Sequence, residues 1–336
     1  MTLVRELVWV GPHAGAHRPA LRCGISVGLP MVALLAAGRV DLLGAAAFGA
    51  FTAIYARGLT VPARTAQQAV VGAGLTASVV VGLLAAHLPA WQGLIMLVGV
   101  AVAATVAGQV VDWKPGGPLF FVFAAGAFAG APAFGFAAAL QVVAVTAGTA
   151  AFAVLVGSAG AVRPTHVRAA APLVAVPLRA AVRREIVLEV LLACAVTAPL
   201  AVLLGVEHVY WALIAAVVPL SVAAGRVARG LHRVAGTLLG LVVAVPLLAA
   251  HPPGWAIVLV AVVLQVGAEL FVLRNYGLAL VFITPLALVV GSTMHPAPIG
   301  DLLADRLLAT VAGVAVALLV VSGGWCLRTT HRARTR

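Results

Sequence analysis

The amino-acid sequence is short of charged residues. Only 9% of its 336 residues are charged and 63% are hydrophobic, whereas a soluble globular protein has about 25% charged and roughly 45–50% apolar residues. Because so few charges cannot cover a surface that faces water, the chain is expected to fold largely within lipid. This composition excludes the soluble domains that the length alone would suggest.

Cysteine and lysine are also scarce. The three cysteines, Cys23, Cys194 and Cys326, are far apart and form no Cys-x-x-Cys pair, so they indicate neither a disulfide framework nor a zinc site. The single lysine, Lys114, is followed by Pro115. This excludes a phosphate-binding Gly-x-x-x-x-Gly-Lys-Ser/Thr loop and the ATP hydrolysis that such a loop supports.

The sequence indicates no active site. Its nine histidines are dispersed, and His13 and His17, which share a helical face, have no carboxylate beside them. Nucleophilic catalysis needs a base next to the nucleophile, and a metal site needs several ligands close together. We therefore expect no enzyme activity, no cofactor and no bound metal.

Long apolar runs dominate what is present. A helix needs about 20 mainly apolar residues to cross the hydrocarbon layer, and the sequence contains twelve such runs, most of them bounded by Gly, Pro or charged residues. The runs are 22–38, 41–56, 66–86, 90–111, 118–133, 135–158, 186–204, 209–225, 234–250, 254–273, 277–292 and 303–323. They predict an all-α polytopic membrane protein with about 12 transmembrane helices. The break between Pro132 and Gly135 carries no charge, and without it the count would be eleven.

The net charge of +12 indicates topology and not nucleic-acid binding, because the basic residues stand in short gaps between apolar runs. With twelve spans and both termini in the cytoplasm, all basic residues except Arg39 and Arg306 fall on the cytoplasmic side. Eleven spans would move the later basic gaps to the wrong side. We therefore predict a protein of the plasma (inner) membrane with cytoplasmic termini, whose partner is the lipid bilayer. The sequence leaves open a homo-oligomer.

An internal duplication is visible in the sequence. Residues 83–91 (LLAAHLPAW) recur as residues 247–255 (LLAAHPPGW), and the spacing of Arg57 and Arg64 recurs in Arg226 and Arg233. Both copies run in the same direction, which predicts two parallel six-helix repeats. The predicted segments are a cytoplasmic N-terminal segment (1–21), the first repeat (22–158), a basic cytoplasmic linker (159–185), the second repeat (186–323) and a basic cytoplasmic tail (324–336).

Arginines form a predicted helix face before the ninth span. Arg226, Arg229 and Arg233 stand at positions i, i+3 and i+7, and Arg57 with Arg64 repeats part of this spacing. One interpretation is that these arginines set orientation and reach lipid phosphates. The other is that they form an electropositive vestibule, which concentrates organic anions at the inner mouth of a path.

Glu269 is a carboxylate within an apolar run. An ionisable group there is costly unless it is paired or faces water. Pairing with an arginine, with Arg274 five residues further on reaching back only obliquely, is one explanation. A role in proton coupling or in the substrate path is the other.

Four stretches of the second half carry a family resemblance. They are Tyr210-Trp211-Ala212-Leu213-Ile214, the segment from Arg226 through Arg233 to Gly236-Thr237-Leu238-Leu239-Gly240, Arg274-Asn275-Tyr276-Gly277-Leu278-Ala279 with Phe282 and Thr284, and Arg306-Leu307-Leu308-Ala309-Thr310-Val311-Ala312-Gly313. From about residue 183 to 321 the chain resembles the membrane domain of the fusaric acid resistance family, which is related to aromatic acid exporters. The resemblance implies a six-plus-six membrane protein that exports aromatic or other organic acids.

We therefore expect a secondary exporter of small organic anions, driven by the proton gradient. Arginines would attract the carboxylate, apolar spans would accept the ring, and Glu269 is the candidate proton carrier. The candidate residues of the substrate path are Arg226, Arg229, Arg233, Arg274, Arg57, Arg64 and Tyr210. A passive anion channel and a non-transporting membrane scaffold are the alternatives.

Overall fold

The computed structural model describes residues 3–159 and 182–334, with side chains as far as Gly323, and every regular element in these residues is a helix. The α-helices are α1 (Leu3–Val8), α2 (His17–Ala36), α3 (Leu43–Ala50), α4 (Val61–Ala85), α5 (Ala90–Val111), α6 (Leu119–Ala129), α7 (Phe136–Ala159), α8 (Arg184–Leu203), α9 (Val209–Leu220), α10 (Arg226–Ala249), α11 (Gly254–Phe271), α12 (Tyr276–Gly291) and α13 (Ile299–Arg334). Short 3₁₀ helices, Val40–Leu42 and Phe51–Ile54, flank α3. Most of the predicted linker 159–185 lies outside the described residues.

The predicted apolar runs all fall on helical structure, and residues 130–135 separate α6 from α7. In the part of the chain that is described, 8 helices are long and apolar enough to cross a membrane. These are α2, α4, α5, α7, α8, α10, α11 and the α13 segment Ile299–Gly323. Four apolar segments are shorter: Val40–Ile54, α6, α9 and α12. The fold is therefore that of an all-helical, multi-pass membrane protein.

Four helices extend by five residues or more beyond the predicted limits. Helix α10 begins at Arg226 and not at residue 234, α2 begins at His17, α4 begins at Val61, and α13 continues to Arg334 through the predicted tail. Apolar runs mark the part of a helix that suits lipid, whereas the backbone hydrogen bonds that define a helix continue into its polar flanks. As a result, Arg226, Arg229 and Arg233 lie inside α10.

The short helices are the most buried ones. All eight residues of α3 are buried, as is every residue of α9 from Tyr210 to Leu220. A helix that is apolar on all sides is stable when protein surrounds it. The short segments occupy the second and fifth positions in each set of six, so the long helices pack around them.

Helix packing follows the same order in the two halves. The third helix packs on the fifth (α4 on α6, α10 on α12) and the second on the sixth (α3 on α7, α9 on α13). Between the halves, the first helix of one packs on the fourth of the other: α2 on α11, and α8 on α5. Helices α6 and α9 meet at the centre.

Glycines allow α10 and α12 to approach closely. A Cβ atom on Gly236 would lie 2.4 Å from the carbonyl oxygen of Gly277, and one on Gly240 would lie 2.7 Å from that of Leu280. The sequence Gly236-x-x-x-Gly240 therefore acts in packing. This approach brings Arg233 on α10 next to Tyr276 on α12.

Candidate functional site

A cavity of about 710 Å³ lies between the two halves. Helices α2, α3 and α6 contribute one wall, and helices α9 to α13 contribute the other. The volume is in the range of binding sites for small molecules, about 300–1,000 Å³.

The wall from the first half is aromatic. Phe48 and Phe51 from the second segment and Phe120 and Phe123 from α6 line it. The ring centroids are 5.1 Å apart for Phe48 and Phe123, and 5.0 Å apart for Phe51 and Phe120, distances at which aromatic rings attract each other. The stack continues across the halves, since Phe123 lies 6.0 Å from Tyr210 of α9. This wall offers a surface for a planar apolar group.

The wall from the second half carries arginines among mainly apolar residues. The guanidinium carbon of Arg229 lies 3.6 Å from the ring centroid of Tyr276, and Nη1 of Arg233 donates a 3.0 Å hydrogen bond to Oη of the same tyrosine. Arg233 is only 2% exposed, and within the described residues its Nε has no hydrogen-bond partner. Tyr276 thus orients two arginines of α10 by its ring and its hydroxyl.

Arg306 adds a third guanidinium to this wall. It is 2% exposed, lines the cavity and lies 4.9 Å from the ring centroid of Trp211. Its neighbour Asp305 faces elsewhere: the carboxylate accepts hydrogen bonds from the backbone N–H groups of Glu207 and His208, and contacts Nδ1 of His208 at 2.6 Å. Adjacent residues point to different sides of a helix, so Asp305 does not neutralise Arg306 by direct contact.

An ion pair joins the halves at the cavity wall. Arg57, which precedes α4, contacts Glu269 of α11, and both line the cavity. The Nε group of Arg57 also donates to the carbonyl oxygen of Ile54 at 3.0 Å. The partner of Glu269 is therefore Arg57 and not Arg274, which sequence proximity suggested.

Three predicted path residues lie outside this cavity. Arg226 donates to Glu189 at 2.8 Å, Arg274 donates to the carbonyl oxygen of Gly11 at 3.0 Å, and the buried Arg64 donates to that of Gly157 at 2.9 Å. Arg226 does line a smaller cavity of about 380 Å³. The two cavities share Ser221 and Lys114, among others. The structure thus brings together Arg57, Arg229, Arg233, Tyr210 and Glu269, and leaves Arg64 and Arg274 apart from them.

Sequence reasoning missed part of the site. Arg306, Tyr276 and the four phenylalanines were not among the predicted path residues. A signal existed for Arg306, since it is one of two basic residues that break the positive-inside pattern. No such signal marks the phenylalanines, because aromatic residues are common in apolar spans.

Neither a metal site nor a serine nucleophile is evident among the residues described. No group of three His, Cys, Asp or Glu side chains there could hold a metal ion. A Gly-x-Ser-x-Gly sequence does occur at residues 24–28, but it lies within α2 and Ser26 is completely buried. A nucleophile elbow needs a sharp turn between a strand and a helix, so this serine is a packing residue.

Membrane-length helices around an internal cavity with buried charges define the class: a multi-pass α-helical membrane protein of the kind that can admit a small solute. Residues 192–320 match the family model described as fusaric acid resistance protein-like. This stretch runs from α8 into α13, and includes Tyr210, Arg229, Arg233, Glu269 and Arg306. It confirms the resemblance for these residues.

A relative among curated proteins is the "Uncharacterized membrane protein YvaC" of Bacillus subtilis (strain 168). It is 33% identical over 124 residues, which are 34% of this chain and 19% of the relative. The match therefore spans about a fifth of that protein. No solved structure matches the chain.

Proposed function

We propose that the protein is a secondary exporter of small organic, in particular aromatic, acids from the cytoplasm across the plasma membrane. One observation carries the proposal: an aromatic wall faces buried guanidinium groups across a cavity of about 710 Å³. A carboxylate attached to a ring has the two properties that these walls recognise, since guanidinium groups bind carboxylates and aromatic rings bind rings. The match to a fusaric-acid-resistance-like model supports the same class of substrate.

The architecture that we propose for this exporter has twelve spans in two parallel six-helix repeats, with both termini in the cytoplasm. The common packing order of the two halves supports the repeat, as does the position of the short helices. A short helix surrounded by protein need not match the full lipid thickness, because its neighbours satisfy its polar ends. The distribution of arginine supports the orientation.

The arginines of α10 provide the entry route in this proposal. Arg226 lines the smaller cavity, which adjoins the main one at Lys114 and Ser221, and Arg229 and Arg233 follow at one and two turns further along the same helix. Successive positive charges at a narrow entrance raise the local concentration of anions. The anion would thus pass from Arg226 towards Arg233.

Glu269 is the proposed proton carrier. It is 4% exposed and its ion pair with Arg57 crosses the halves. Protonation of Glu269 would remove one charge of the pair and release Arg57, so proton binding and movement between the halves would be linked. A structural role for the same pair is the alternative, and it predicts transport without proton coupling.

Flux in proteoliposomes tests the proposal. The probe is radiolabelled 4-hydroxybenzoate, with empty liposomes subtracted for passive leakage. We expect flux that a pH gradient accelerates, a loss of at least about tenfold in Arg233→Gln, and little change in Arg39→Gln. Arg39 is a matched control because it pairs with Asp41 at the surface, away from the cavity.

The same assay separates the alternatives. Electrogenic flux that does not depend on the pH gradient favours a passive anion channel. In that case, Glu269→Gln should leave the flux unchanged. Absence of flux from an inserted, monodisperse protein favours a scaffold. Unaltered flux in the inserted Arg233→Gln variant would remove the arginine route from the proposal.

A further inference from the structure

We propose that Arg306, stacked on Trp211, binds the carboxylate of an aromatic monocarboxylate inside the cavity; this inference rests on the function proposed above and assigns the anion subsite within it. Arg306 does not belong to the arginine face of α10. It stands on α13, two turns from the start of that helix.

The first argument is the state of its donors. Arg306 is 2% exposed, and within residues 3–159 and 182–323 its Nε and Nη1 have no hydrogen-bond partner. A guanidinium group cannot lose its proton in ordinary conditions. A buried, charged donor without a partner is destabilising, and a ligand that completes its hydrogen bonds removes that cost.

The second argument is that the acidic groups near Arg306 contact other partners. Of the residues that line the cavity, Glu269 is the one acidic residue in the described part of the chain, and it contacts Arg57. Asp305, next to Arg306 in sequence, directs its oxygens to His208 and to two backbone N–H groups. Arg233 lies close enough for its positive charge to repel that of Arg306, and the carboxylate of Asp305 offsets part of this repulsion without touching Arg306. Among the described residues that line the cavity, no acidic group is recorded in contact with Arg306, so a carboxylate from outside the protein can complete its donors.

The third argument is geometry. A guanidinium that stacks on an aromatic face keeps its edge free, and that edge can donate two parallel hydrogen bonds to a carboxylate. Trp211 supplies the face at 4.9 Å. Tyr210 precedes Trp211 in α9, and its ring stacks on Phe123 of the opposite wall. A carboxylate held at Arg306 therefore shares the cavity with the aromatic surface of Tyr210 and Phe123, which favours a ring-bearing acid as the ligand.

Binding measurements on the purified protein test this subsite. The probes are 4-hydroxybenzoate and its amide, 4-hydroxybenzamide, which has the same shape without the charge. We expect Arg306→Gln to weaken acid binding by about ten- to hundredfold and to leave the weak binding of the amide unchanged. The acid affinity of Arg306→Lys should lie between those of the wild type and Arg306→Gln, because lysine keeps the charge but cannot donate two parallel hydrogen bonds. Arg39→Gln is the matched control, since Arg39 is the other arginine on the non-cytoplasmic side of the proposed topology.

If Arg306→Gln does not fold, protection of Arg306 from chemical modification tests the subsite in the wild-type protein. Phenylglyoxal modifies arginine, and 4-hydroxybenzoate should slow the modification of Arg306 in the wild-type protein, as measured by mass spectrometry, while the amide does not. The inference is overturned by equal acid affinity in wild type and Arg306→Gln, by no acid binding to the wild type, or by no selective protection.

Failure of the subsite and failure of the exporter proposal give different results. Binding that requires Arg306, without flux in proteoliposomes, leaves the subsite intact and removes the exporter. Flux that persists in Arg306→Gln with unaltered affinity leaves the exporter and removes the subsite.

Discussion

At the scale of single residues, one neutral side chain, that of Tyr276, contacts two positive charges. Tyr276 lies under the guanidinium of Arg229 and accepts a hydrogen bond from Arg233. It begins α12, where Asn275 caps the helix by accepting from the backbone N–H of Leu278. Because the capped end of α12 is fixed, Tyr276 holds both arginines against the cavity without adding an acid that would cancel their charge.

The protonation of His295 gives a prediction at the same scale. His295 lies between α12 and α13, and burial, assisted by the charge of His208, lowers its pKa below the ordinary value of 6.5. Below about pH 6.5 the unfolded chain therefore binds a proton that the folded protein does not, and stability falls as the pH drops towards the lowered pKa. At higher pH, His295 is neutral in both the folded and the unfolded state, so it does not make the free energy of unfolding depend on pH.

We expect His295→Gln to reduce the loss of thermal stability between pH 7.5 and pH 5.5, measured as the apparent Tm in detergent. His251→Gln is the control, because His251 lies in an exposed turn. Parallel pH profiles for His295→Gln and the wild type would show that this histidine does not contribute to acid sensitivity.

At the scale of helices, glycine contacts decide how α10 and α12 meet. We expect Gly236→Ala to destabilise the protein by roughly 1–3 kcal/mol, because the new Cβ would lie 2.4 Å from the carbonyl oxygen of Gly277 and a backbone atom cannot move aside cheaply. The measurement is the apparent Tm together with monodispersity in gel filtration. Arg233 would also lose its register with Tyr276.

Gly99→Ala is the matched control for this prediction. Gly99 lies within α5, and a Cβ there meets no atom within 4 Å in the described structure. Alanine should therefore be neutral or stabilise the helix by about 0.5–1 kcal/mol. Equal stability of Gly236→Ala and the wild type would contradict the close approach of α10 and α12.

Helices were predictable from the sequence to the extent that they are apolar. Hydropathy gave the positions of the twelve segments, but not that α10 starts at Arg226, since arginine interrupts an apolar run while it suits a helix. The site was less predictable. Arg229, Arg233 and Glu269 stood out as charges in apolar surroundings, whereas the partner of Glu269 is more than two hundred residues away at Arg57. Long-range pairing leaves no periodicity in a single sequence.

At the scale of the whole molecule, the proposed topology can be tested at its weakest point, the short segment Val40–Ile54. Ala37 and Gly58 flank this segment, and both are exposed. In a background with native cysteines replaced by serine, we expect Ala37→Cys to react with a membrane-impermeant maleimide from outside intact cells. Gly58→Cys should react only after permeabilisation, because twelve spans put it in the cytoplasm.

Labelling of both positions from the same side would show that residues 40–54 do not cross the membrane. The proposed topology of twelve spans would then be wrong. The cysteine-free background without engineered cysteines controls for unspecific labelling. This test is independent of any transport assay, so it separates a wrong topology from a wrong function.

The two walls of the cavity come from different stretches of the polypeptide: phenylalanines from residues before 160 and arginines mainly from residues after 182. A fragment that ended at the linker would carry only the aromatic wall of the cavity. The complementary fragment would carry only the wall with the buried guanidinium groups. Neither fragment contains the complete cavity. The proposed recognition of an aromatic acid therefore requires both halves, and two separately synthesised fragments would regain it only by reassembling.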